Sequence, residues 1–133
     1  MEAEKPAEAV EAMGRSLQIA EDAGLRGVRA GLLVGLKRYD EAERELRALL
    51  EVPGQRGVDV VAVVEGLSRV WVERDGDVER ALGMCRDARG QMPTAYAAMT
   101  VRIAAILAGA GRTGEAIAEL EGARARAAEE RTA

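Results

Sequence analysis

The stretch Tyr39-Asp40-Glu41-Ala42-Glu43 decides the fold, because similar stretches occur three more times with an alanine in the fourth position. The spacings between successive alanines are 33, 39 and 35 residues. A recurrence near 35 residues, with helical periodicity between the copies, is typical of a solenoid of helical hairpins. We therefore predict an all-α fold, a right-handed α-solenoid of antiparallel hairpins with about seven helices. The other copies are Pro6–Val10, Val78–Leu82 and Thr113–Ile117.

Glycine, proline and capping residues divide the chain into seven predicted helices. The first helix is unpaired, and the other six form three hairpins within a single domain that covers residues 1–133. The valine-rich start of the fourth helix, 58–64, would also suit a strand, but its apolar run continues to Trp71, beyond the length of a typical strand. We predict the unpaired helix at 6–22 and the hairpins at 24–53, 57–92 and 94–130.

The recurring alanine is expected where two antiparallel helices cross, because only a small side chain lets their axes come close. On this interpretation Ala9 has the same structural place as the alanines of the other three copies. The residues at helix starts are expected to act as N-caps, since their side-chain oxygens can accept hydrogen bonds from free backbone N–H groups. The predicted N-caps are Asp40, Asp77, Thr94 and Thr113.

Composition is that of a globular protein. Apolar residues make up 48% of the sequence, which suffices for a core, and the net charge is −4 with both signs interspersed. The single cysteine, Cys85, cannot form an internal disulfide, which favours a reducing compartment. Residues 1–5 lack the basic start and apolar run of a signal peptide, so we expect none, and the longest apolar stretch, near 103–110, is too short to span a bilayer. We expect a soluble, cytoplasmic protein.

The residue types that most enzymes need are scarce. There is no histidine, the commonest general base and metal ligand, and one cysteine cannot form a cysteine-based zinc site. No glycine-rich phosphate-binding motif is present. We therefore expect no catalytic residues, no metal site and no cofactor. Because nucleic-acid-binding surfaces are basic, the balanced charge also argues against nucleic acid as a partner, and a membrane is not an expected partner either.

The segment 35–54 resembles the tetratricopeptide repeat family. Its turn is followed by Asp40-Glu41-Ala42 in a second helix and by Pro53 at the end, and 76–93 and 111–116 match the same pattern. Bulky aromatic residues of the family are largely missing, and Lys37 replaces a turn glycine. The resemblance covers about 6–130. When the repeats are aligned on the recurring alanines, each second helix carries a pair of small or apolar residues at the same two positions. These pairs are Leu46 and Leu49, Cys85 and Ala88, and Leu120 and Ala123.

In this family, the first helices of the hairpins line a concave groove that holds an extended peptide or a helix. The resemblance implies a groove of small apolar residues with almost no polar side chains, without the family's clamp for a peptide carboxylate. The expected partner is a protein or peptide, bound by shape and apolar contact. The implied partner-binding residues are Gly24, Gly27, Gly31, Val34, Val63, Gly66, Val70, Glu73, Arg74, Ala98, Val101 and Ala105.

Four glycines, Gly24, Gly27, Gly31 and Gly35, recur on one face of the second helix and are called the glycine track. Each lowers helix propensity by about 1 kcal/mol relative to alanine. Three explanations stay open. The track packs internally against the first helix or a neighbouring copy, it contacts a partner or forms a dimer, or it reflects compositional drift.

Two functions stay open beside that of a partner-binding module. One is a self-associating scaffold, in which two copies form a homodimer through the glycine track. The other is the repeat part of a larger transcriptional regulator, as the resemblance suggests for bacteria of arginine-rich composition. Trp71 is expected to be a core residue rather than an interface anchor, and Cys85 a buried, unreactive thiol.

Overall fold

The computed structural model describes residues 6–12, 23–51 and 59–132, and all regular structure within these ranges is helical. The predicted all-α class is confirmed for the described residues, and 60–64 of the valine-rich segment are helical. The predicted end of the first helix, at residue 22, lies outside the described residues. The helices are α1 (6–12), α2 (Ala23–Gly35), α3 (Tyr39–Leu50), α4 (Val60–Asp75), α5 (Val78–Gln91), α6 (Tyr96–Gly109) and α7 (Thr113–Thr132), with a 3-10 turn at Pro93–Ala95.

Two aspartate side chains cap helix starts. Asp77 accepts a hydrogen bond from the Arg80 N–H at 3.2 Å, which confirms it as the N-cap of α5. Asp59 accepts one from the Ala62 N–H at 3.2 Å and caps α4. Each bond satisfies a backbone donor that has no partner within its helix.

The other three predicted N-caps are wrong. Asp40 lies inside the first turn of α3, whose N-cap is Arg38. Thr113 is the first residue of α7, and Thr94 lies in the 3-10 turn, so that it precedes α6 without capping it. Helices α3 and α7 begin earlier in the chain than the capping preferences of Asp40 and Thr113 indicate. The fixed φ of Pro93 favours the 3-10 turn that precedes α6.

Each turn that leads from α2, α4 or α6 into the next helix contains one residue in the left-handed conformation. The φ angle is 61° at Lys37, 64° at Gly76 and 80° at Gly111. Each of these residues stands five positions before a recurring alanine, so the three turns are equivalent. Positive φ brings a Cβ atom too close to the backbone, whereas glycine avoids this, so Lys37 is the strained member of the set.

The recurring alanines are buried at equivalent positions of α3, α5 and α7. The exposed fraction is 0% for Ala42, 0% for Ala81 and 5% for Ala116. Each backbone N–H donates to the carbonyl four residues earlier, directly before its helix begins. Ala9 of the fourth copy is half-buried in α1, beside the completely buried Val10. The small side chain therefore stands at the same helical turn in three copies, where it permits close approach of a neighbouring helix.

Helices that follow one another in the chain pack together from α2 to α7, and α4 also contacts both α2 and α6. Two apolar clusters result. One joins α1 to α4 around Val10, Leu33, Leu46 and Leu67, and the other joins α4 to α7 around Leu82 and Ile103. Because α4 contributes to both clusters, it is the element that holds the two together.

The strained turn at Lys37 leads to a stability prediction. Replacing Lys37 with glycine removes the steric penalty of positive φ, and the gain exceeds the added flexibility of the unfolded chain. We expect K37G to raise the free energy of unfolding by about 0.5–1 kcal/mol in urea titrations. The matched variant G111A places a Cβ atom at the equivalent position and should lower it by about 1 kcal/mol. A K37G protein less stable than the wild type would contradict the equivalence of the turns.

A polar link ties α3 to α4 beside the core. The Trp71 indole N–H donates to one Glu43 carboxylate oxygen at 2.8 Å, and the Arg74 guanidinium donates to the other at 3.1 Å. The bond from Trp71 is the main cause of a Glu43 pKa below its usual value; Arg74 and Arg47 add to the shift, and burial opposes it. Trp71 is 6% exposed, with Arg80 over its ring at 3.9 Å, so it is a core residue as expected.

The lowered pKa of Glu43 predicts a pH-dependent contribution to stability. The ionised carboxylate favours the folded state, so this contribution is complete above the usual glutamate pKa of about 4.3 and is lost as the pH falls through the lower folded-state pKa. We expect E43Q to be less stable than the wild type by about 1–2 kcal/mol at neutral pH. The difference in the free energy of unfolding between E43Q and the wild type should shrink when the urea titrations are repeated at lower pH, from pH 7 towards pH 3.

The variant W71F supplies the control for this experiment, because it removes the indole donor and leaves an aromatic ring in the core. In the W71F background, E43Q should lower the free energy of unfolding by less than it does in the wild type. If the stability difference between E43Q and the wild type stays constant between pH 7 and pH 3, the assigned role of the Glu43 carboxylate is contradicted.

Candidate functional site

A concavity of about 390 Å³ lies between α2 and α4 and is called the α2/α4 concavity. Its volume is near the lower end of the range for ligand pockets. Five of the twelve predicted partner-binding residues line it: Gly27, Gly31, Val34, Val63 and Gly66. Its other lining residues were not predicted: Val28, Leu46, Asp59, Ala62, Glu65 and Arg69.

Three glycines of α2 face space that no described residue occupies. A Cβ atom built on Gly27, Gly31 or Gly35 would meet no atom of the described residues within 4 Å. The described part of the chain therefore gives no packing reason for these three glycines. Gly24 belongs to α2, but its surroundings lie outside the described residues, as do residues 13–22.

Gly66 of α4 has a packing role instead. A Cβ atom at this position would lie 2.9 Å from Cδ1 of Leu46, closer than side-chain carbons approach in real structures. Leu46 is 3% exposed and belongs to the core cluster of α1 to α4. Gly66 thus lets α3 and α4 come close together, while one side of it faces the concavity.

The three predicted valines are core residues. The exposed fraction is 2% for Val34, 2% for Val63 and 0% for Val70. Val34 and Val63 form part of the apolar lining of the concavity. Val70 packs within the cluster around Leu67 and presents no surface to a partner.

Glu73 and Arg74 lie where α4 contacts the start of α3. The Glu73 carboxylate accepts hydrogen bonds from the Tyr39 hydroxyl at 3.3 Å and from Arg69 Nε at 3.1 Å. Arg74 donates to Asp75 at 2.8 Å as well as to α3, and its bond to Asp75 is the main cause of a raised Arg74 pKa. Both side chains are therefore engaged within the protein and do not line the concavity.

The predicted residues of α6 lie apart from the concavity. Val101 is 61% exposed, Ala105 is exposed and Ala98 is half-buried. Between them, Arg102 reaches α4, where its Nε donates to the Ser68 hydroxyl at 3.0 Å. The predicted α6 residues therefore do not line the concavity that contains Gly27 and Gly31 of α2.

Polar groups at the concavity depart from the expected apolar lining. Asp59 is used as the N-cap of α4, and Arg69 is paired with Glu73. The Glu65 carboxylate makes no hydrogen bond or ion pair with another described residue. The spacing of Asp59, Ala62, Gly66 and Arg69 along α4 is three, four and three, which places them on one helical face and is the sequence signal for this lining.

A buried polar contact among Ser68, Glu65 and Arg102 was also not predicted from the sequence. The Ser68 hydroxyl donates to the Glu65 carbonyl at 2.8 Å and accepts from half-buried Arg102, and burial lowers the pKa of that guanidinium. Burial likewise raises the pKa of the Cys85 thiol, and a hydrogen bond with Ser68 opposes the shift. Cys85 is completely buried, as expected, and its raised pKa disfavours the reactive thiolate.

Within the described ranges, no group of three histidine, cysteine, aspartate or glutamate side chains is placed to hold a metal ion. No helix of the described chain is both long enough and apolar enough to cross a membrane. Comparison with protein-family models, with curated proteins and with solved structures finds no match to this chain.

The contrast between Gly31 and Gly66 predicts opposite responses to alanine. In α2, G31A should raise the free energy of unfolding by about 0.5–1 kcal/mol, because alanine favours the helix and fills open space. In α4, the same gain is offset by overpacking against Leu46, which costs about 1–3 kcal/mol. We therefore expect G66A to be less stable than G31A by at least about 1 kcal/mol in urea titrations. Equal stabilisation by both changes would contradict the packing role of Gly66.

Proposed function

We propose that this chain is a non-catalytic protein-interaction module that receives a helix or an extended peptide of another protein in the α2/α4 concavity. The observation that supports this most strongly is the open space before Gly27 and Gly31. Each glycine weakens α2 by about 1 kcal/mol relative to alanine, and no described side chain uses the space that the missing Cβ atoms leave. A partner backbone lying close against α2 would use it.

The lining of the concavity indicates the chemistry of the partner segment. Val28, which is 57% exposed, forms with the buried Val34, Val63 and Leu46 an apolar base, which suits aliphatic side chains. Glu65 lies beside this base, and its carboxylate makes no hydrogen bond or ion pair with another described residue, although it interacts electrostatically with Arg102. We therefore propose a segment with aliphatic side chains directed at the base and a lysine or arginine beside Glu65, since charge complementarity favours one binding register over others.

We also propose that α2 to α7 form three antiparallel hairpins of a right-handed α-solenoid related to tetratricopeptide repeats. The contacts of α4 with both α2 and α6 support a stack in which every second helix lies side by side. The equivalent left-handed turns and buried alanines support three related units. That the chain belongs to a larger transcriptional regulator stays a prediction.

A pull-down with matched arginine variants tests the proposed site. The wild type, G31R and G83R serve as baits in extract of the source organism, after circular dichroism has shown that all three are folded. Gly83 is an exposed glycine of α5 and also faces open space, so G83R adds the same side chain outside the concavity. We expect a partner that the wild type and G83R capture and that G31R loses.

Titration with the purified partner then measures the effect directly. Because the arginine side chain of G31R would occupy the concavity, we expect its affinity to fall at least tenfold, while that of G83R stays within twofold of the wild type. Equal affinity for all three proteins would place the binding site elsewhere and contradict the proposal.

A homodimer through the glycine track is the second candidate, and the same open space before Gly27 and Gly31 favours it. The two α2 helices of a dimer would then fill each other's space. Light scattering coupled to size exclusion distinguishes the candidates. A dimer mass for the wild type and a monomer mass for G31R would support self-association, and a monomer mass for both would exclude it.

A further inference from the structure

The last helix exposes two large apolar side chains on one side. Ile117 is 51% exposed and Leu120 is 47% exposed, and the only buried residue of α7 is Ala116. Arg124 stands one turn beyond Leu120, is exposed, and makes no hydrogen bond or ion pair with another described residue. These three residues, Ile117, Leu120 and Arg124, are called the α7 face.

The positions of the α7 face have counterparts in α5. A shift of 35 residues relates Ala81 to Ala116, and the same shift relates Leu82 to Ile117 and Cys85 to Leu120. Leu82 and Cys85 are both 0% exposed and belong to the cluster that includes residues of α6. Equivalent positions are thus buried in α5, which packs against both α4 and α6, and exposed on α7, which packs against α6.

The polar member of the face has a counterpart as well. Arg124 corresponds to Arg89 of α5, which donates to the Thr100 hydroxyl of α6 at 3.2 Å and to Glu119 at 2.7 Å. Arg89 therefore helps to seat α6 on α5, next to the apolar contacts. Arg124 is placed to make the same kind of bond to a helix lying on α7, and no described residue supplies it.

We propose that the α7 face binds a helix of another protein that resembles α6 in chemistry. The pattern follows from what α5 binds: Met99 and Ile103 of α6 are completely buried aliphatic side chains four residues apart, and Thr100 between them carries the hydroxyl. The partner helix thus has aliphatic residues at positions i and i+4 and a serine or threonine at i+1. Its binding continues the packing of α4 on α3 and of α6 on α5.

A second copy of this chain is a poorer occupant. Its α6 helix already uses Met99 and Ile103 inside its own core, so this pattern is not free on a folded copy.

The proposed surface also lies on α7, whereas the concavity of the proposed function lies between α2 and α4. The two proposals can therefore fail separately.

A labelled peptide of residues 95–109, extended by a solubilising lysine tag, is the probe, because it carries the α6 pattern. Fluorescence anisotropy measures its binding to the full chain. We expect L120E to weaken binding at least tenfold, because a carboxylate cannot pack against the apolar side of the peptide. R124A should weaken it about fivefold, and a peptide with Thr100→Val should show a similar loss that R124A does not increase further.

Matched controls separate the α7 face from other surfaces. Gly122 lies on the opposite side of α7 and faces open space, so G122E adds the same charge without touching the face and should bind like the wild type. G83R, which adds an arginine on α5 outside the concavity, should also bind the peptide normally. A scrambled peptide should not bind.

Three outcomes would overturn the proposal. The first is no binding of the peptide to the wild type, and the second is equal binding to the wild type and to L120E. The third is a dimer mass for the wild type that L120E reduces to a monomer mass, which would assign the face to a second copy.

Discussion

Close approach of helices at small residues is the constraint on which the rest of this structure depends. Ala42, Ala81 and Ala116 are buried at the same turn of α3, α5 and α7, and Gly66 lets Leu46 approach the backbone of α4. With only 2% aromatic residues, each helix buries little apolar area, so close contact must supply the stability that large side chains give elsewhere. Each helix consequently depends on its neighbours, and α4 most of all, because it belongs to both clusters.

Polar contacts between helices fix how these small-residue surfaces align. Arg29 bonds Glu45 between α2 and α3, Arg102 bonds Ser68 between α6 and α4, and Trp71 bonds Glu43 between α4 and α3. The partly exposed Arg29–Glu45 ion pair adds about 0–1 kcal/mol, and each of the two hydrogen bonds adds about 1 kcal/mol, so these contacts are not the main source of stability. Their directional geometry nevertheless disfavours a slip of one helix along another, which alanine-rich surfaces alone resist weakly.

The two proposed binding surfaces differ in origin. The α2/α4 concavity exists because glycines leave space between helices that already pack together, whereas the α7 face exists because no described helix lies on α7 where α4 and α6 lie on α3 and α5. A segment that fills the concavity would bring its backbone close to α2. A helix on α7 would instead bury side chains, in the way that α6 does on α5.

The sequence by itself determined the helices, their approximate bounds and the equivalent turns, because periodicity, glycines, prolines and the recurring alanine act over a few residues. It also indicated the burial of Cys85, whereas the left-handed conformation of Lys37 is seen only in the structure. Which side chains line the concavity was decided by tertiary structure, because the rotation of α4 about its axis turns Val70 inward and brings Asp59, Glu65 and Arg69 to the surface facing α2. Arg74 was likewise captured by Asp40 and Glu43 of α3, a contact across 34 and 31 residues that no local pattern encodes.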